Sequence, residues 1–370
     1  MVKLTAIAGG LPATVPFTGP ETLERRMGRR FDARLGANES VFGPSPAALE
    51  AMRMAAADAW MYGDPDLHEL KAALAAHHGI AATCITVGEG IDGLLGTLCR
   101  LTVEPGVTVV TSDGAYPTFN YHVAGNGGTL VKVPYRDDLE DPEALLAAAR
   151  ENGARLVYMA NPDNPMGSWH GADAVRALIA ALPEDALLVL DEAYADTAPP
   201  GANLPLDVAE RRVIRMRTFS KAHGLAGLRI GYAIGHPDLI AAFDRMRNHF
   251  GVSRVAQAAA LASLTDRAYL ASVVDRIAGA REGIARVADA NGLTALPSAT
   301  NFVAVDCGRD GAFARAVLDG LARGGVFVRM PGVAPLDRCI RVSCGTEADL
   351  ELLAEALPSA LRLAEERAGG

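Results

Sequence analysis

The chain predicts a three-layer α/β domain built on a mostly parallel, seven-stranded sheet, followed by a smaller α+β domain. Three observations lead there. Seven short β-rich runs recur between residues 85 and 235, many of them separated by Ala- and Leu-rich helical stretches. Several runs are apolar throughout rather than alternating, the pattern of strands covered on both faces. Beyond about residue 255 the texture changes to long helical runs followed by three short strands.

Taken in order, residues 1–45 are rich in Gly and Pro and read as an N-terminal arm and entrance loop. The large domain is expected over 46–254. It opens with PSPAALEAMRMAAADA, a Ser-Pro helix start. LHELKAALAAHHG follows, a helix closed by Gly79. The strand runs are ITVGEG, VTVVTSDG, TLVKVPY, ARLVYMANP, ALLVLDEAY, VIRMRTFS and LRIGYAIG. The small domain, 255–370, holds a long helical stretch and then ATNFVAVD, GVFVRM and CIRVSC. In open α/β sheets ligands collect beyond the carboxyl ends of the strands, and each motif described below falls at such an end.

The formal charge of −9, with no basic run, excludes nucleic acid as the main partner. Five cysteines, an odd number with no C-x-x-C pair, argue against a disulfide framework or a metal site and suit a reducing compartment, so the cytoplasm is expected. No run of about 18 apolar residues exists to span a membrane. The N-terminal stretch MVKLTAIAGGLPATVPF carries two prolines and no apolar core of the signal-peptide kind.

The basic residues are more informative. Of 35, only Lys3, Lys71, Lys132 and Lys221 are lysines. Arg holds its proton and forms no imine, so a lysine needed for imine chemistry has to stay lysine. Lys3 lies near a terminus, Lys71 on an amphipathic stretch and Lys132 at a strand end. Lys221 alone sits among small and hydroxyl residues, in TFSKAHGLAGLR.

Four segments then combine. In LVLDEAY, Asp191 stands at the end of an apolar strand, where a buried carboxylate calls for a cation such as a protonated pyridine nitrogen. Tyr194 follows three residues on, placed to donate to a ring phenolate oxygen; a helix N-cap fits this Asp equally well. ANPDNPMG brings Asn164 as a second donor, although Pro and Asn clusters also simply make turns. In VGEGIDGLL, Gly88 and Gly90 follow a strand and open a helix, the place where backbone N–H groups meet phosphate. Around Lys221, Thr218 and Ser220 offer hydroxyls and Arg229 a guanidinium suited to a phosphate dianion. A phosphate cradle, a ring-nitrogen carboxylate, a ring-oxygen pair and an imine-forming lysine together point to pyridoxal 5′-phosphate.

With these residues in place, the sequence resembles the fold-type-I pyridoxal-phosphate enzymes, in the class I/II aminotransferase branch. The resemblance runs almost end to end. Within the branch it is similar to the histidinol-phosphate aminotransferase subgroup, through ANESVFGPSP, YGDPDLHEL, NPDNPMG, LDEAY and TFSKAHGLAGLRIGY. The resemblance implies the aspartate aminotransferase-like fold and ping-pong transfer of an amino group from a small-molecule donor to a 2-oxo acid. It implies that Lys221 bonds the cofactor, Asp191 meets its ring nitrogen, and Tyr194 and Asn164 meet its ring oxygen. The backbone amides of Gly90 and Ile91, with Thr218, Ser220 and Arg229, hold its phosphate. Phe119 of AYPTFNYH would stack on the ring, a position that also fits core packing. Tyr62 would reach the phosphate in a partner subunit, implying a homodimer with shared sites. Arg341 would clamp the substrate's anionic group, Arg329 would be a second phosphate-binding arginine, and Asn38 would face the same site.

Three departures stand out. Phe17 occupies the arm position where the subgroup usually has a tyrosine, the entrance loop reads NES rather than N-E-N-P, and RMRNHFGVSR is unusually basic. Its Arg247, Asn248, His249 and Arg254 suit either the substrate or an interdomain surface. A different amino donor, or another pyridoxal-phosphate reaction such as decarboxylation, racemisation or oxidation, stays open at this point.

Overall fold

The computed structural model describes residues 2–12 and 17–368. Two short helices, α1 (Ala6–Gly10) and α2 (Pro20–Met27), and the two-residue strand β1 (Ala33–Arg34) form the arm. The large domain runs α3 (Pro46–Ala56), α4 (His68–His78), β2 (Ile85–Gly88), α5 (Gly90–Thr102), β3 (Thr108–Ser112), α6 (Pro117–Gly125) and β4 (Thr129–Val133). It continues through α7 (Pro142–Glu151), β5 (Leu156–Ala160), α8 (Ala172–Ala181), β6 (Leu187–Asp191), β7 (Val213–Thr218), β8 (Gly231–Gly235), α9 (Pro237–Phe243) and α10 (Arg254–Thr265). The small domain comprises α11 (Arg267–Asp289), β9 (Thr294–Ala295), β10 (Phe302–Asp306), α12 (Gly311–Arg323), β11 (Val326–Phe327), β12 (Cys339–Ser343) and α13 (Glu347–Ala368).

All seven expected strands form one sheet, in the order β2-β8-β7-β6-β5-β3-β4, with β8 alone antiparallel. The all-apolar runs split by alternation. Leu156 and Tyr158 face a core with α5, α6 and α9, whereas Val157 and Met159 face one with α7 and α8. Leu95 and Leu156 are fully buried, so trimming either to Ala costs about 2–5 kcal/mol. Local chemistry sets the helix starts: Pro opens α3, α6, α7 and α9, and Ser45, Asp141 and Ser253 accept hydrogen bonds from the first-turn amides of their helices.

The expected domain boundary at 254/255 falls one helix early. Ala256, Ala259, Ala260 and Leu264 of α10 pack with Leu70, Leu74, Ile85 and Val87 of the large domain. The small-domain core begins instead with Val273 and Ile277 of α11. Asp266 joins the two helices, ending α10 and capping α11 through Tyr269 N–H. An Ala-rich helix shows little face in sequence, so packing and not pattern decides its allegiance. The arm joins the small domain, with β1 paired to β11 and Ala33 and Leu35 in its core.

The entrance loop presses directly on the turn after Lys221. Gly224 (φ +70°) lies so close to Gly43 that a Cβ there would fall 2.4 Å from the Gly43 carbonyl carbon. Tyr269 Oη ties the loop down by donating to the Phe42 carbonyl at 2.8 Å. Among the described residues no helix is long and apolar enough to cross a membrane. All five cysteines are free and buried.

Candidate active site

Beyond the carboxyl ends of β5, β6 and β7 lies a cavity of about 360 Å³ whose lining includes Lys221, Asp191, Tyr194 and Asn164. Lys221 follows β7 in a turn. Its Nζ donates to the Asn38 carbonyl at 3.3 Å and lies 5.6 Å from the Tyr194 ring centre. Burial, aided by Arg341, brings this ammonium down to about 8, so a useful fraction is the free, nucleophilic amine. Asp191 ends β6. Its carboxylate accepts from Tyr158 Oη at 2.7 Å and Ala193 N at 3.0 Å. Burial nonetheless pushes the carboxyl up to about 6, and a cation against it would draw it back down.

The opposite end of the cavity suits a dianion. Gly90 opens α5 with φ +74°, and a Cβ there would come within 2.5 Å of Arg229 Nη2. Ile91 and Asp92, the next two residues, line the cavity. Thr218 Oγ1 donates to Ser220 Oγ at 2.9 Å and accepts from Ser220 N at 3.0 Å. Arg229 holds a left-handed backbone (φ +52°) and donates to the Ala226 carbonyl at 3.0 Å. A helix N-terminus, two hydroxyls and a guanidinium converge where only glycine leaves room.

Between these ends stand two further polar groups. Tyr194 Oη accepts from Asn38 Nδ2 at 3.1 Å. Asn164 Oδ1 accepts from Arg341 Nη1 at 2.5 Å, which leaves the Asn164 amide nitrogen as the free donor. Asp163 anchors this loop by accepting from Tyr135 Oη at 2.8 Å and Met166 N at 2.9 Å. Arg341 lies 5.2 Å above the Phe302 ring, and burial lowers its guanidinium to about 10. The arrangement fits pyridoxal 5′-phosphate: a dianion cradle, a buried carboxylate with no ion-pair partner among the described residues and a lysine surround one cavity.

Comparison with known proteins supplies the rest. The profile of the aminotransferases of class I and II matches residues 33–357. The chain belongs to this family. The histidinol-phosphate aminotransferase 1 of Mesorhizobium japonicum is 36% identical, with 96% of this chain and 98% of that protein covered. That of Moorella thermoacetica is 34% identical over 93% of this chain and 89% of its own. A crystal structure of histidinol-phosphate aminotransferase from Sinorhizobium meliloti in complex with pyridoxal 5′-phosphate superposes with a TM-score of 0.95, at 57% identity and 98% coverage of both chains. A Thermus thermophilus aspartate aminotransferase variant superposes at 0.81 with 25% identity, covering 96% of this chain and all of that one. This aminotransferase uses pyridoxal 5′-phosphate, as the sequence indicated.

Several expected residues sit elsewhere. Phe119 is wholly buried and stacks on Tyr158, with centroids 4.6 Å apart, inside the core. The aromatic residue of that segment at the cavity wall is Tyr116, whose hydroxyl donates to Asp92 at 2.8 Å. Tyr116 precedes the first turn of α6, whereas Phe119 lies within it on the inward face. Asn38 is also corrected: only 2% exposed, it supports Tyr194 while its neighbours Ala37 and Glu39 line the cavity. Tyr62 lies outside the chain's own cavity, 75% exposed and 4.7 Å from the Phe250 ring. Arg329 is not among the cavity-lining residues and meets the arm instead: its Nη2 donates to the Thr18 carbonyl at 3.1 Å and its guanidinium lies 5.5 Å from the Phe17 ring. Arg247, Asn248, His249 and Arg254 are not part of the cavity lining. Tyr158 was missed, since a tyrosine inside an apolar strand carries no sequence signal for the carboxylate it meets.

Proposed function

We propose that this aminotransferase takes the amino group of histidinol phosphate, or of a closely similar phosphorylated amine, and passes it to a 2-oxo acid. The observation that carries this reading is a pair of guanidiniums on backbone-paired residues. Arg341 N donates to the Arg329 carbonyl at 2.6 Å, and Arg329 N to the Arg341 carbonyl at 3.2 Å. Two forks on directly paired backbone positions suit a doubly charged phosphate better than a single carboxylate. The names of the Mesorhizobium, Moorella and Sinorhizobium relatives agree.

When bound, the cofactor supplies an electrophilic carbon for the amino group and an electron-withdrawing ring. The chain's residues do the rest. Lys221 Nζ, as the free amine, would take the proton from the donor's Cα and carry it as the general acid–base of the transfer. Asp191 holds a proton on the ring nitrogen through its charge. Tyr194 and Asn164 donate to the ring oxygen, while Ile91, Thr218, Ser220 and Arg229 hold the phosphate. Arg341, already bonded to Asn164, links the group that orients substrate to the group that orients the ring.

Phe17 brings no hydroxyl to the rim, so the phosphate contact rests on the two arginines. In single half-reactions, histidinol phosphate is expected to discharge the visible band of the bound cofactor at least tenfold more efficiently than histidinol. Equal efficiency would remove the phosphate from the assignment.

We also propose a homodimer. Trp60 and Tyr62 are 82% and 75% exposed, and Phe250 half-exposed beside Tyr62, an apolar aromatic patch that water alone covers poorly. Sedimentation should give twice the chain mass, and Tyr62→Phe should weaken cofactor retention if that hydroxyl reaches the partner's site. The free thiols suit the cytoplasm.

A further inference from the structure

Strand β12 carries two polar side chains two positions apart, the half-buried Arg341 and the buried Ser343. Arg341 bonds Asn164 directly. Ser343 has no place in the reading above, yet its hydroxyl makes two hydrogen bonds to one residue. It accepts from Asn38 N at 3.0 Å and donates to Asn38 Oδ1 at 3.1 Å. Asn38 in turn donates from Nδ2 to Tyr194 Oη at 3.1 Å. The three residues come from three places: the small domain, the entrance loop and the large domain. All are buried, with Ser343 1% and Asn38 2% exposed.

The direction of these bonds follows from counting protons. Ser343 Oγ already accepts the Asn38 amide, so its own hydrogen needs an acceptor, and a buried hydroxyl hydrogen without one is costly. Asn38 Oδ1 supplies it. The side-chain amide of Asn38 then has to turn its NH₂ toward Tyr194. Tyr194 Oη accepts there, and its hydrogen is left free to point into the cavity. Were the Asn38 amide reversed, its carbonyl would face Tyr194 and take that hydrogen instead. The φ of +55° at Asn38 keeps its side chain in this short reach, a conformation Asn tolerates better than most residues.

We propose that Ser343 is a positioning residue that sets the polarity of the Ser343–Asn38–Tyr194 chain, so that Tyr194 donates to the ring oxygen of the cofactor. With Arg341 acting on Asn164, one face of one small-domain strand thereby orients both ring-oxygen donors. The inference rests on the cavity being the cofactor site.

The test uses the holoenzyme and reads the pH midpoint of the visible absorbance change of the lysine-bound cofactor. Donors to the ring oxygen favour the form with more negative charge there, so losing one raises the midpoint. Ser343→Ala is expected to raise it by about one pH unit, the scale of a hydrogen bond to a charged acceptor. Ser343→Thr, which keeps the hydroxyl, should restore the wild-type value. Ser343→Cys, similar in size with only a weak donor, should behave as the Ala variant and covers the case in which Ala does not fold. In a Tyr194→Phe background the midpoint is already raised, and adding Ser343→Ala should move it no further. A wild-type midpoint in Ser343→Ala or Ser343→Cys, or a full additional rise on top of Tyr194→Phe, overturns the proposal. Absence of any visible band in the wild-type protein with cofactor would instead overturn the site itself.

Discussion

The two walls of the cavity are built in different ways. The side proposed to hold the cofactor is local: Gly90 with Ile91, Thr218 with Ser220 and Lys221, Asp191 with Tyr194, each group drawn from a few consecutive residues at a strand end. The side proposed to face substrate is assembled from afar. Glu39 of the entrance loop lines the cavity; the proposed substrate contacts Arg341 and Arg329 come from the small domain, and Thr18 and Phe17, which meet Arg329, from the arm. The first wall depends on the large domain alone, and the second on how three segments meet. Damage to the first should therefore reach every substrate, whereas damage to the second should discriminate among them.

The largest expected effect tests the first wall at its centre. Lys221→Ala should lower turnover by about 10⁴-fold or more, since nucleophile and proton carrier vanish together. The same residue gives a pH test on wild-type apoprotein. Its amine is charged below about 8 and free above it. The rate of cofactor capture, followed by absorbance, should rise with pH through about 8 and then level, and a rise continuing to the ordinary lysine value would contradict the burial of Lys221.

Asp191→Asn should reduce turnover by about 10²–10³-fold with every donor, the scale of one lost electrostatic contact in an active site. It should do the opposite to the empty protein. Burial raises the carboxyl to about 6, so the folded apoprotein binds more protons than the unfolded chain between about 4 and 6. Its stability must fall as pH rises through that window. At pH 8 the Asn variant should unfold at higher urea, by about 1–3 kcal/mol. Equal stability would mean the carboxylate is already compensated.

Arg341→Ala sharpens the contrast. It should cost about 1.5–3 kcal/mol in kcat/KM for a phosphorylated donor and far less for an uncharged one. A uniform loss would move Arg341 to the cofactor wall. The smallest effect belongs to Gly90→Ala. A Cβ 2.5 Å from Arg229 Nη2 in a left-handed backbone should weaken cofactor binding about tenfold and leave the ranking of substrates unchanged.

This division also explains what the sequence made legible. The grouping of Ile91, Asp191, Tyr194, Thr218, Ser220 and Lys221 around one cavity was legible because these groups are neighbours in the chain and each motif sits at the end of a recognisable strand. Several of the strand runs carried the same double-sided apolar signature, β4 with its Lys132 being an exception. Tyr116 was misread as Phe119 because orientation within one helical turn depends on where α6 begins, and that is set by Pro117 and packing. Asn38 was placed near the site, but not its partner, since a contact with Ser343 spans the whole chain. The allegiance of α10 was hidden because Ala pairs with whichever core reaches it. Residues whose work depends on a distant partner leave no trace in local pattern.

The contact of Gly224 on Gly43 has a bearing on redesign of the entrance. There an atom added at Gly224 would run into the Gly43 main chain, whereas Gly43 itself faces open space and favours glycine through its φ of +75°. Ser40, by contrast, keeps a buried hydroxyl that bonds to nothing. A library that varies residues 39–41 while freezing 43 and 224 would therefore explore new specificities without disturbing the seat of the doorway on the turn after Lys221.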